Sequence, residues 1–204
     1  MAADDYFDAI GNVLSYVLSA EDTIVGQRNH KSGTYIIINR SSTDLEFFAH
    51  PNDRYFTIIY QFSLTRTLID AYKRDNQILR GHLERDDIDD AKIGDDNLNE
   101  KVAYERIKDV ETEAAEKLVS EIQSVSIHSD CRIEGITDSG PDNGNDTEEI
   151  WDGVMVAGLL YPYEENFGPR EYEQVAQEVI SVGNQIDSAM EKLDVMEEIG
   201  FESN

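Results

Sequence analysis

Apolar residues recur along the end of the chain at Tyr172, Val175, Val179, Val182, Ile186, Ala189, Leu193 and Met196. Their separations alternate between three and four, which puts all of them on one face of a helix spanning 169–198. Pro169 suits the first turn of that helix. With Tyr172 at heptad position a, the e positions are Ala176, Gly183, Met190 and Glu197. The g positions are Glu178, Gln185, Lys192 and Ile199. Charge pairing across e and g is nearly absent, so a coiled-coil seam is disfavoured. The apolar face widens to a, d and e, the pattern of a helix lying on a globular core. A glycine in mid-helix, Gly183, costs about 1 kcal/mol relative to alanine, and close approach to a sheet accounts for it.

The same reading places a helix over 4–20, with Phe7, Ile10, Val13, Leu14, Val17 and Leu18 on its buried side. Residues 23–29 have the weakest strand character and stand outside the count of strands. Three clearer strands follow at 34–40 (TYIIINR), 45–50 (LEFFAH) and 54–62 (RYFTIIYQF). The short turns between them make a meander of antiparallel neighbours. Ser63 then caps a helix over 64–83, with Leu64, Leu68, Ile69, Ala71, Tyr72, Leu79 and Leu83 inward. An acidic connection over 84–100 leads to a densely charged helix over 99–121. Strand character returns over 125–137, followed by a polar loop over 138–146. The stretch 151–163 (WDGVMVAGLLYPY) is apolar on both faces, which predicts a strand covered on both sides or at a subunit contact.

The predicted class is α+β. An antiparallel sheet of about five strands, a meander of three plus two, carries helices on one face. The order is α-βββ-α-α-ββ-α. No linker divides the chain, so 1–204 forms one domain, with 84–121 as an elaboration.

Charge changes this picture most. There are 43 acidic against 17 basic residues, a net charge of −26, and only seven of the basic residues are lysine. A disordered acidic tail would concentrate the charge, but here it runs through helices and loops alike. A nucleic-acid mimic would show rows of carboxylates with few hydrophobic gaps. An acidic surface poor in lysine fits a halophilic, haloarchaeal-type protein, because in molar salt the Debye length is about 3 Å and self-repulsion is screened. No basic face is present to hold phosphates, which disfavours nucleic acid. No stretch approaches the ~18 apolar residues of a membrane span, and the first residues carry no secretion signal. A cytoplasmic location without membrane association is expected.

Chemistry-bearing motifs are scarce. Cys131 is the single cysteine, and His30, His50, His82 and His128 have no partners at metal-ligand spacing, so neither a metal nor a cofactor is expected. The carboxylates around Asp87 and Asp138 break the calcium-loop pattern. No phosphate-binding or nucleophile-elbow motif occurs, and no catalytic residue is assigned. The feature that stands out is the seven-residue repeat Arg66, Lys73 and Arg80, a basic stripe on an acidic protein. A solvated face paired with carboxylates and a partner-binding face both account for it. Trp151 at the start of the apolar strand, and Ala189, Leu193 and Met196 at the end of the last helix, complete the candidate partner-binding set.

The meander TYIIINR–LEFFAH–RYFTIIYQF, the helix from Leu64, and WDGVMVAGLLYPY running into PREYEQVAQEV resemble the type III secretion chaperone-like fold, seen also in YbjN-like domains. The resemblance implies a non-enzymatic dimer that binds other polypeptides. Three readings therefore stand: a dimeric protein-binding module of chaperone or adaptor type; a small-molecule binder or enzyme with a pocket beside Tyr60, Trp151 or Tyr161; and an accessory component docking through the basic stripe. The charge alone makes a prediction. Unfolding midpoints followed by circular dichroism rise steeply from dilute buffer to molar salt, whereas a midpoint indifferent to salt contradicts the halophilic reading.

Overall fold

A computed structural model describes residues 3–30, 33–50, 54–83, 96–108, 110, 112–125, 130–138, 149–162, 164–165, 167–197 and 199. Its elements are α1 (Ala3–Val17), β1 (Asp22–His30), β2 (Gly33–Arg40), β3 (Thr43–Ala49), β4 (Phe56–Ser63), α2 (Leu64–Arg74) and α3 (Asn76–His82). They continue with α4 (Asp96–Lys108), α5 (Thr112–Val125), β5 (Arg132–Asp138), β6 (Ile150–Leu160), α6 (Pro169–Met190) and the single turn α7 (Asp194–Glu197). The class is α+β, and one antiparallel sheet of six strands runs in the order β1-β2-β3-β4-β6-β5.

Several expectations are corrected. The sheet has six strands rather than about five, because β1 pairs with β2 from Asp22↔Arg40 to His30↔Gly33 despite a bulge between Ile24 and Gly26. That bulge breaks the alternation that would have marked β1 in the sequence. The helix expected over 64–83 is two helices. Asp75 ends α2, donating its N–H to Ala71, and its carboxylate caps Gln77 at the start of α3. The charged helix over 99–121 is likewise two helices, α4 and α5. Val125 belongs to α5, so the later strand begins only at Arg132. The last helix stops at Met190, and the turn that follows lets Met196 and Ile199 enter the core. Most of the expected connection over 84–100 and of the loop over 138–146 lies outside the described residues.

The pleat decides which side chains meet. Cross-strand partners put Ile36, Phe47, Ile58 and Gly158 in one row and Thr34, Ala49, Phe56 and Leu160 in another, on the same face. Here α6 lies across β4 and β6. A Cβ on Gly158 would meet Val175 at 2.5 Å, and one on Gly183 would meet the Tyr60 ring at 2.8 Å. Both glycines thus let helix and sheet approach more closely than any side chain allows. α1 covers the β1–β2 end of this face, with Ile10 and Leu14 over Ile36. Ile10, Leu14, Phe47, Ile58, Val156, Tyr172, Val179 and Ile186 belong to one continuous core, as do inward residues of α2, α4 and α5.

The polar joins are equally specific. Arg40, at the end of β2, is buried with Asp22 and Glu173. Burial alone would lower its pKa, but the hydrogen bond to Glu173 and the two carboxylate charges outweigh burial and raise it. Its guanidinium also lies over the Tyr172 ring, 5.7 Å from the centroid. Buried Asp152 of β6 holds the start of α2, accepting from Ser63 Oγ at 2.7 Å, Thr65 N at 2.8 Å and Thr65 Oγ1 at 2.6 Å.

Gly183→Ala tests the helix–sheet contact. In an exposed helix this change stabilises by about 1 kcal/mol. Against Tyr60 it should destabilise by about 1–3 kcal/mol, the usual range for overpacking. Urea unfolding in high salt reads the sign, and a stabilised variant contradicts the close approach.

Candidate interaction face

The opposite face of the sheet has its own rows. One runs Arg28, Tyr35, Phe48, Thr57 and Leu159, and the next runs Gly26, Ile37, Glu46, Ile59, Ala157 and Arg132. Ile59 and Ala157 are buried, yet neither belongs to the continuous core. Tyr35 and Phe48 pack with ring centroids 4.4 Å apart. Tyr55 and Tyr161 meet edge to face at 6.4 Å where this face ends. Leu159, Tyr161 and Tyr55 are 40%, 39% and 38% exposed, half of the large exposed hydrophobics among the described residues. Exposed apolar side chains gathered on one face make it a candidate contact surface.

Charge on the middle of this face is nearly balanced. Arg28 pairs with Glu46, and Arg132 pairs with Glu134. Asp44 adds one carboxylate, which accepts from the Asn39 amide at 2.7 Å. The Arg28 guanidinium also sits 5.8 Å from the Tyr35 ring centroid. A protein with a net charge of −26 therefore presents one broad surface that is close to neutral.

The residues singled out in the sequence lie elsewhere. Arg66 and Lys73 are exposed on α2, while Arg80 is on α3, beyond the break at Asp75. A helix interrupted there does not carry the seven-residue repeat as one continuous stripe. Lys73 pairs with Asp96 of α4 at 2.9 Å, and that hydrogen bond raises its pKa. Trp151 is half-buried against the core, its indole beside Gly135. Ala189 and Met196 are buried in the chain's own core, and Leu193 packs against it. Of the three aromatic residues expected beside a pocket, Tyr60 lines a cleft of ≈220 Å³ at the end of β4, and Tyr161 is on the open face.

At that cleft the Tyr60 hydroxyl donates to Asp187 of α6, whose residue exposure is only 4%. Burial pushes the Asp187 carboxyl up, and the hydrogen bond from Tyr60 offsets part of that rise. Burial and the adjacent carboxylate push Tyr60 up as well. Tyr172 is raised for the same two reasons, with Asp22 as its neighbour. Among the described residues, no three histidine, cysteine or carboxylate side chains converge to hold a metal, and no helix is long and apolar enough to cross a membrane. His128 lies outside them.

The open face leaves a signal in the sequence. In TYIIINR both Ile36 and Ile37 are apolar, and in VMVAGLL so are Val156, Ala157, Leu159 and Leu160. Outward positions on a one-sided sheet are expected to be polar. Across β2, β3, β4 and β6 they are Tyr35, Phe48, Ile59 and Leu159. No family model matches the sequence, and no characterised protein or solved structure matches it either.

Asp187 supplies a pH test. Its folded pKa is raised, so the neutral form contributes stability at low pH that is lost as pH rises above the ordinary carboxylate value of about 3.9. Asp187→Asn keeps a neutral acceptor for Tyr60. It should match the parent near pH 4 and exceed it in urea midpoint at pH 7. A variant less stable than the parent at pH 7 would show that the charged hydrogen bond outweighs burial.

Proposed function

We propose that this chain is a non-enzymatic protein-binding module, of chaperone or adaptor type, that works as a homodimer joined through its open sheet face. The observation that carries the reading is an apolar sheet face with nearly balanced charge on a protein of net charge −26. A second copy is the occupant this face fits best. Two chains of equal and extreme charge repel wherever carboxylates meet, and this surface brings apolar rows and internally paired arginines together instead.

Area agrees with that choice. Six strands about 4.8 Å apart, each about eight residues long at ~3.3 Å per residue, form a face of roughly 600 Å². Two such faces bury about 1,200 Å², the lower bound for a stable specific interface. The contact would be isologous, with the same patch on both copies, and the sheets would stack about 10 Å apart. The resemblance to type III secretion chaperone-like domains supports the same reading, because those are dimers that bind polypeptides without catalysis.

The setting completes the proposal. An acidic, lysine-poor surface suits a halophilic cytoplasm, where molar salt screens the two copies from each other and strengthens apolar contact. Polypeptide partners would then meet what the dimer leaves uncovered, including the outer edges of β1 and β5.

Leu159→Glu is the test. Leu159 is exposed within one chain, so the substitution should alter folding stability by less than about 0.5 kcal/mol. Across a two-fold interface it places like charges against an apolar partner. Light scattering in molar salt should give twice the chain mass for the parent and the chain mass for the variant. A monomeric parent, or a variant that stays dimeric, overturns the assignment of this face.

A further inference from the structure

α1 and β1 do not close fully on each other. Between them runs a groove of ≈300 Å³, on the inner side of the sheet and away from the open face. Its aliphatic lining is Ile10, Leu14 and Leu18 of α1, Ile24 of β1 and Ile36 of β2. Ile10, Leu14 and Ile36 are buried and form its floor, whereas Ile24 is 52% exposed at its mouth.

Two local features shape this groove. Gly11 lies in the middle of α1, where glycine is the least favoured residue after proline. Gly158 and Gly183 let helix and sheet touch, but a Cβ on Gly11 would meet no atom of the described residues within 4 Å. Gly11 lines the groove, so its missing side chain leaves room above the aliphatic floor instead of seating one element on another. The second feature is the bulge in β1. Residues three apart on a regular strand face opposite sides of the sheet. The irregularity between Ile24 and Gly26 pairs Ile24 with Ile38 and Gln27 with Ile36, which turns both toward α1 and into the groove. Bulges beside binding sites re-aim side chains in this way.

The chemistry of the lining is uniform. Among the described residues no ionisable side chain lines the groove, although 29% of the chain is charged. Ser15 donates its hydroxyl within α1, to the Gly11 carbonyl at 2.7 Å. The lining therefore offers no cation to a carboxylate, and a net charge of −26 repels anions. The volume is about twice the ~150 Å³ of an apolar cavity that takes benzene, room for a chain of about eight to twelve carbons. A single aliphatic protein side chain would not fill it.

We propose that the groove between α1 and β1 binds the aliphatic chain of a small neutral molecule, a medium-chain alcohol or ester, with its polar end at the Ile24 mouth. Burial of each methylene over Ile10, Leu14 and Ile36 drives binding, so affinity grows with chain length. The site is complete within one chain, and it lies on the side of the sheet that the dimer does not use.

Isothermal titration of the full chain with 1-octanol tests this, at the lowest salt at which circular dichroism shows it folded. 1-Butanol, with a shorter chain, and octanoate, with a charged end, are the comparison probes. 1-Octanol should bind saturably, one per chain, with the other two at least tenfold weaker. Gly11→Leu puts a side chain into the open space and favours the helix, so the melting temperature should not fall, while 1-octanol affinity should drop at least tenfold. Ile24→Ser changes an exposed residue on the opposite wall and should weaken binding about threefold or more with the fold intact. No saturable 1-octanol binding, octanoate bound as tightly as 1-octanol, or folded Gly11→Leu or Ile24→Ser variants of unchanged affinity each overturns the proposal. So does a dimer that Gly11→Leu splits while 1-octanol fails to bind, which would assign the groove to a second copy.

Discussion

Close approach of α6 to β4 and β6 is the constraint on which the rest of this structure depends. Two positions without side chains, Gly158 under Val175 and Gly183 over Tyr60, set that distance. Once the helix is seated there, Tyr172, Val179 and Ile186 fill the sheet's inner face, and the core closes around them. Interiors are packed as densely as organic crystals, so such a contact has little slack in either direction.

Placement of α6 also determines where buried charge can go. Glu173 and Tyr172 come down beside Arg40 and Asp22, and Asp187 comes down on Tyr60. Each partnership joins the last long helix to a strand laid down more than a hundred residues earlier. Losing one member of a buried ion pair typically costs 3–5 kcal/mol, because the survivor is left unpaired. These contacts therefore specify the docking of the helix as well as its strength. α1 and α6 both lie on the inner face, and Tyr35, Phe48, Ile59 and Leu159 on the outer face stand outside the continuous core.

Much of this was legible in the sequence. The three-four spacing located α6, the β-branched runs located β2, β3, β4 and β6, and Gly183 pointed to a sheet contact. The breaks were not legible. Asp75 ends one helix and caps the next through backbone geometry that a seven-residue repeat does not encode, so Arg66, Lys73 and Arg80 looked like one stripe. β1 was undervalued because its bulge interrupts alternation. Motifs and conspicuous charges are what single segments display. The open face instead consists of ordinary apolar residues whose significance lies in which way the pleat turns them. Cross-strand register, absent from any one segment, is what reveals it. The cleft is less legible still, since it arises where two strands cease to pair and gathers residues from β3, β4, α2 and α6.

On the proposed reading, the open side of the sheet is the dimer interface. Hydroxyl-radical footprinting across a dilution series, in the salt that keeps the chain folded, asks this most directly. Tyr35, Phe48, Tyr55 and Tyr161 should be oxidised progressively less as concentration rises and the chain doubles in mass, while exposed Tyr16 on α1 should be unchanged. Doubling of the mass with those four residues equally reactive throughout, or with protection confined to Tyr16, would contradict it.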